Sequence, residues 1–202
     1  MTEPTVFIID DDEAVRDSIY ELAASVGLAA ETFRSALDYL EVFDASRPGC
    51  LVLDVRMARM SGLSLRDKLR EMNASIPIVF ISGHGDIGMA VSAVKAGAVD
   101  FVQKPYQEQQ LLDAINEALA RDAAQREAVE GKEGLASKLE ILTSREREVV
   151  LLALKGHASK VIARELGISH RTVELHRSHA LDKLSISSVS ELLRLGPGAR
   201  DQ

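Results

Sequence analysis

The chain has 202 residues, of which 46% are hydrophobic, and carries a formal net charge of −7 at pH 7. That length suits two domains or one large one, and no apolar run approaches the roughly 18 residues that a membrane span needs. A single cysteine, Cys50, excludes a disulfide framework, and the N-terminus lacks a basic, apolar secretory pattern; a soluble cytoplasmic protein is the expectation.

In chain order, Val6-Phe7-Ile8-Ile9 runs into Asp10-Asp11-Asp12. Val15, Ile19, Leu22 and Val26 then keep one face of a helix that Gly27 stops. Ala30 to Phe33 reads as a weak edge strand and Ser35 to Phe43 as a helix. Leu51-Val52-Leu53 ends at Asp54 and is followed by a helical pattern from Ser64 to Met72. Ile78-Val79-Phe80-Ile81 ends at Ser82, and Gly88 to Ala96 is again helical. Phe101-Val102 leads, after Gln103, to Lys104-Pro105, and a helix is expected from Gln107 to about Arg121. Short β-branched runs separated by helical patterns read as buried strands of a parallel sheet. Right-handed crossovers place helices on both of its faces, so residues 1–121 are expected to form an α/β, doubly wound, five-stranded domain.

Residues 122–138 are rich in Ala, Glu and Gln and contain Gly131 and Gly134. They read as a linker or linker helix, with the preceding helix running on to Val129 before a flexible joint; the alternative is a coupling helix that transmits a signal. Residues 139–202 are purely helical in pattern. Thr143-x-x-Glu146 is a capping box, Ser159 can cap a short helix through Leu166, and Gly167-Ile168-Ser169 is a tight turn before a helix from His170 to Leu184. Ser188-x-x-Glu191 opens a last short helix. Two helices joined by a three-residue turn containing Gly carry the helix-turn-helix signature. Charge divides along the same line, residues 1–120 holding 19 acids and 10 bases against 8 and 10 in residues 139–202. This asymmetry hints at a partner for the second half, though an excess of two bases does not by itself name nucleic acid.

Open parallel sheets bind ligands beyond the carboxyl ends of their strands. That rule brings Asp10, Asp11, Asp54, Ser82 and Lys104 to one rim, where they can hold a divalent cation, present a carboxylate nucleophile and cradle a phosphoryl group. Asp12 reads as the start of the first helix, where negative charge is favourable, and His84 as a loop residue. In the order of these elements, residues 4–121 resemble the receiver domain of two-component response regulators. The resemblance implies that Asp54 accepts a phosphoryl group, and that Asp11 and Asp54 hold Mg²⁺ (or Mn²⁺) with the Arg56 backbone carbonyl while Asp10 acts through coordinated water. It also implies that Ser82 and Phe101 read out phosphorylation beside Lys104, and that the Lys104-Pro105 bond is cis. Ala58 stands where these receivers usually carry proline, which implies a looser loop after Asp54. Haloacid-dehalogenase-type phosphatases share aspartyl-phosphate chemistry but need D-x-D-x-T or D-x-D-x-V, against Asp10-Asp11-Asp12-Glu13-Ala14 here. No phosphate-binding glycine loop of the G-x-x-x-x-G-K-[ST] or G-x-G-x-x-G type is present.

Leu142 to Val150, Gly156, Ile162-Ala163, Leu166, Ile168-Ser169, Thr172-Val173-Glu174, His176 and Lys183-Leu184 resemble the LuxR/NarL-type DNA-binding domain. With the receiver-like half, the whole chain is similar to the FixJ subfamily of response regulators. At about 100° per residue, Val173, Ala180 and Leu184 share the core face of the His170–Leu184 helix. Arg171, Leu175, Ser178 and Asp182 point the other way, with Glu174 at the flank. Residues at the N-terminal end of such a face reach base edges: Arg171 suits guanine or phosphate, Glu174 cytosine N4, Leu175 a thymine methyl, and Ser178 is permissive. Thr172 joins this DNA-binding set, Arg177 is assigned to phosphate or an internal salt bridge, and Lys160 to phosphate. His176-x-x-His179 lacks a third ligand for zinc.

The resemblance implies a transcription regulator rather than a classical enzyme, promoting only its own Mg²⁺-dependent phosphorylation and dephosphorylation. Its partners would be a sensor histidine kinase, double-stranded promoter half-sites, a second copy of the chain on phosphorylation and RNA polymerase, with no membrane. A phosphate-relay role and a protein-binding adaptor role stay open on the residues alone.

Overall fold

The apolar runs become strands because β-branched side chains pack well on a pleated surface covered on both sides. They are β1 (Thr5–Ile9), β2 (Ala29–Phe33), β3 (Gly49–Asp54), β4 (Ile78–Ser82) and β5 (Asp100–Gln103). All pair in parallel, in the order β2-β1-β3-β4-β5. The computed structural model describes residues 3–83, 97–188 and 191, with Lys132 and Glu133 by backbone alone. It divides into two units, Met1–Ala124 and Gln125–Gln202.

The period-two alternation of side chains feeds two cores in the first unit. Phe7, Ile9, Leu51, Leu53, Ile78 and Phe80 pack with residues of α2 (Ala36–Val42) and α3 (Gly62–Glu71). Val6, Ile8, Cys50, Val52, Val79 and Ile81 pack with residues of α1 (Glu13–Ser25) and α4 (Glu108–Glu140). The sheet is therefore doubly wound, as its sequence pattern implied. Because β1 lies between β2 and β3, the chain order reverses there and opens a crevice at the carboxyl ends of β1 and β3.

Local chemistry sets the helix ends. Asp12 caps α1 by accepting from the Ala14 N–H at 2.9 Å, and Ser35 and Ser61 cap α2 and α3 in the same way. Val26, expected on the apolar face of α1, lies one residue beyond its end and is 51% exposed. Gly27, with φ of 77°, is where the chain turns away.

The largest departure from the sequence reading is α4. In place of a joint near Gly131 and Gly134, helix continues to Glu140. Each glycine costs a helix about 1 kcal/mol relative to alanine, and the surrounding Ala, Glu, Lys and Leu residues are strong enough helix formers to carry the chain through. Asp122, read as linker, is instead buried, and its Oδ2 accepts from the Gly49 N–H at 2.8 Å.

The second unit holds α5 (Ser144–Leu154), α6 (Ser159–Leu166) and α7 (His170–Leu184). Val149, Ile162, Ala163 and Val173 form one small core, and Leu139, Leu142, Val150, Ala180 and Leu184 another. Gly167 takes the left-handed conformation (φ 66°) that lets α6 turn sharply into α7. The capping box is complete, Thr143 Oγ1 accepting from the Glu146 N–H while Glu146 Oε2 accepts from the Thr143 N–H. Ser159 does not cap α6. Ala158 is its N-cap, and Ser159 is the first helical residue, buried against the unit. Ser188 Oγ accepts from the Glu191 N–H at 3.3 Å. His84, the Gly88–Ala96 helix and the rest of the last helix lie outside the described residues. No described helix is long and apolar enough to cross a membrane.

Candidate functional site

Strand register assembles the rim. Ile9 pairs with Leu53, so Asp10 and Asp54 leave adjacent strands at one level. Asp54 pairs with Ile81, and Ser82 with Gln103, which puts Ser82 one residue and Lys104 two residues beyond the level of Asp54 on neighbouring strands. The side chains complete the convergence. Lys104 Nζ donates to Asp10 Oδ2 at 2.5 Å and to Asp54 Oδ1 at 2.9 Å. Asp54 Oδ2 accepts from the Arg56 N–H at 2.7 Å, and Asp10 Oδ1 from the Asp12 N–H at 3.0 Å. The Lys104 N–H donates to the Ser82 carbonyl at 2.8 Å, and the Lys104-Pro105 bond is cis.

Asp10, Asp54 and Ser82 are buried, Lys104 is partly so, and Asp11 and Arg56 are exposed. Phe101 sits lower on β5, opposite Phe80 and half-buried against the core that contains Phe7 and Leu53. Burial pushes the Asp54 carboxyl above its ordinary value, an effect that Lys104 only partly offsets. Burial pulls Lys104 down, but its hydrogen bonds to Asp10 and Asp54 outweigh that and hold it above its usual value, charged. The result is a fixed cation beside a desolvated carboxylate.

The donors suit a hard cation. Asp10 and Asp54 stand within reach of one ammonium, and the Asp11 carboxylate and Arg56 carbonyl add oxygen donors on the same loops. Among the described residues no three acidic, imidazole or thiolate groups form a cage of their own. Mg²⁺ does not require one, because it binds through one or two carboxylates and keeps several waters. His176 and His179 likewise belong to no metal cluster among the described residues.

Two features of the rim went unread in the sequence. A Cβ on Gly62 would meet the Asp54 backbone oxygen at 2.3 Å, so only glycine lets α3 begin this close to Asp54. The second is Arg16, whose Nη1 donates to the Asp10 carbonyl at 2.8 Å. The loop that carries Ala58 is tied by Met60 N–H to the Ala58 carbonyl (2.8 Å) and Gly62 N–H to the Val55 carbonyl (3.1 Å), with Met57 buried beneath it. Backbone bonds and one buried side chain hold that loop, without a proline ring.

In the second unit, α7 buries Val173, Ala180 and Leu184 and exposes Arg171, Glu174, Leu175, Ser178 and Asp182. Leu175 is 53% exposed, a large apolar side chain on a polar face. Lys160 is exposed on α6, while Thr172 and Arg177 are half-buried. The Thr172 hydroxyl lies 2.7 Å from Ser169 Oγ, within the cap of α7. Two arginines of α5 act internally: Arg145 donates to the Leu166 carbonyl at the end of α6, and Arg147 to the Leu139 carbonyl at the end of α4.

Comparison with known proteins gives two family matches. Residues 6–116 match the response regulator receiver domain, and residues 140–195 match the bacterial regulatory proteins of the luxR family. Response regulator protein TodT of Pseudomonas putida is 44% identical over 196 residues, spanning 97% of this chain and 86% of that protein. Transcriptional regulatory protein FixJ of Bradyrhizobium diazoefficiens is 38% identical over 196 residues, 96% of this chain and 95% of FixJ. The solved structure of response regulator StyR is similar with a TM-score of 0.78 at 45% identity, over 96% of this chain and 98% of that one.

Proposed function

The chain belongs to the FixJ-like response regulators, transcriptional regulators of two-component systems, and from that premise we propose that Asp54 is the phosphoryl acceptor through which a sensor histidine kinase controls DNA binding. One observation carries this reading: Lys104 Nζ bridges Asp10 and Asp54 where β1 and β3 end.

Asp54 is held at both oxygens, by Lys104 and by the Arg56 N–H, so its carboxylate is aimed before any partner arrives. Burial raises its basicity, which favours attack on phosphorus. As the Asp54 O–P bond forms, the P–N bond to the kinase imidazole breaks and the imidazole leaves. The Lys104 ammonium neutralises phosphoryl oxygens whose charge spreads in the loose transition state. Asp10, Asp11, Asp54 and the Arg56 carbonyl would hold Mg²⁺ (or Mn²⁺), which supplies further charge neutralisation when bound. The Ser82 hydroxyl and the Phe101 ring then respond to a gain of about −1.5 to −2 in charge.

The downstream reading is pairing of two phosphorylated chains, which presents two α7 helices to promoter half-sites and gives avidity that one weakly charged unit lacks. Arg171, Thr172, Glu174, Leu175 and Ser178 would face bases, with Lys160 and Arg177 on phosphates. RNA polymerase is the downstream partner in this reading, and the cytoplasm its compartment. The receiver would promote only its own phosphorylation and dephosphorylation.

Asp54→Asn keeps the side-chain volume and removes the nucleophile. With acetyl phosphate and Mg²⁺, wild type should take up phosphate and the variant none, as resolved by phosphate-affinity electrophoresis. Wild-type labelling of the variant would place the acceptor elsewhere.

A further inference from the structure

Every polar atom of Asp10 has a partner. Its N–H donates to the Phe33 carbonyl at 3.2 Å, Oδ1 accepts from the Asp12 N–H, Oδ2 accepts from Lys104, and its carbonyl accepts from Arg16 Nη1 at 2.8 Å. The first three bonds fix the Asp10 side chain and its place in the sheet. The fourth does something different. Because a peptide unit is planar, the Asp10 carbonyl and the Asp11 N–H move as one body, so a clamp on that carbonyl sets the direction in which Asp11 leaves β1. Asp11 is exposed, so its aim comes from its backbone.

We infer that Arg16 is a positioning residue, which orients the Asp11 carboxylate toward a divalent cation by holding the Asp10–Asp11 peptide from α1. The inference rests on the reading of this rim as a Mg²⁺-dependent phosphoryl site. Arg16 is the fourth residue of α1, whose N-cap is Asp12. Its own N–H bonds to the Asp12 carbonyl at 3.1 Å, so the guanidinium reaches back over the turn from a helix that the same acidic run begins. The planar fork suits a fixed acceptor such as a carbonyl better than a mobile ammonium does.

Arg16 also exerts an opposite effect, since its charge repels a dication. A partly exposed guanidinium is screened by water and salt, whereas the direction of a peptide plane is not. The clamp therefore outweighs the repulsion, and removing Arg16 weakens metal binding.

The test is titration of the full chain with Mn²⁺, following the free-ion paramagnetic resonance signal. Arg16→Gln and Arg16→Met should each weaken binding roughly tenfold, the usual scale for losing a group that orients a ligand. Arg16→Lys, which keeps the charge and one donor, should recover part of that loss. In acetyl phosphate labelling, the metal concentration for half-maximal rate should rise by the same factor, with the rate at saturating metal little changed. Equal melting temperatures for wild type and the three variants separate this from general unfolding. Unchanged or tighter Mn²⁺ binding in Arg16→Gln and Arg16→Met overturns the role of Arg16 alone. Absence of Mn²⁺ binding by wild type overturns the reading of the rim, and this role with it.

Discussion

Gly62 shows how a single missing side chain shapes the rim. An added Cβ would stand 2.3 Å from the Asp54 carbonyl oxygen and 3.0 Å from Leu53 Cγ, and neither atom is the free end of a flexible side chain. Gly62→Ala should therefore destabilise the chain by about 1–3 kcal/mol, the usual cost of overpacking, seen as a lower urea midpoint. A midpoint equal to wild type would mean that α3 shifts without cost. The principal site residues were legible in the sequence because each ends or follows an apolar run, and strand ends in a parallel sheet share one rim. Gly62 and Arg16 were not, since their roles depend on how closely a neighbouring loop approaches, which spacing along the chain does not encode. Cys50 is the plain case: buried, with its thiol pushed up to about 12 chiefly by burial, it behaves as a small apolar residue.

Among the elements, α5 and α7 are joined by one carboxylate. Glu146 completes the cap of α5 and accepts from Lys183 Nζ on α7 at 2.9 and 2.7 Å. The Lys183 hydrogen bond first, and the Thr143 N–H second, lower its carboxyl from an ordinary value of 4.5 to about 2. A depressed carboxyl contributes stability that is present above its unfolded value and lost as pH falls through its folded one, so this contribution fades between about pH 4.5 and 2. Carbon-detected titration of the full chain should find Glu146 with a midpoint near 2, and Lys183→Met should move it toward 4.5. A wild-type midpoint near 4.5 would contradict the pairing. The capping box that this carboxylate serves was visible from Thr143 and Glu146 alone, whereas Lys183, which lies 37 residues away, was not. The strands, the described helices that alternate with them and the helix-turn-helix were legible because their periodicity and turn residues agree. The course of α4 was not, because glycine weakens a helix without stopping one that good formers flank. Ser159 misled in a related way, since a good capping residue at the first helical position was read as the cap itself.

For the whole molecule, the two halves carry opposite charge balance, with only two more bases than acids in residues 139–202. One such half should bind a DNA duplex weakly, with a salt dependence that counts the phosphates it neutralises. If phosphorylation pairs two chains, the beryllofluoride-treated protein should show roughly twice the slope of log affinity against log salt that Asp54→Asn shows under the same treatment. Fluorescence anisotropy on a labelled duplex measures this, and equal slopes would argue that pairing on DNA does not follow from the acceptor.

The bond between Asp122 and Gly49 also bears on how the chain is divided. Family matching ends the first half at residue 116, yet β3, the strand that finishes at Asp54, starts at a backbone amide whose partner lies six residues later. A fragment truncated at the family boundary would strand that amide and leave β1 and the chain before β4 to hold the lower end of the acceptor's own strand. Protease nicking or recombination between relatives at this point would do the same, so the separable piece reaches past Asp122.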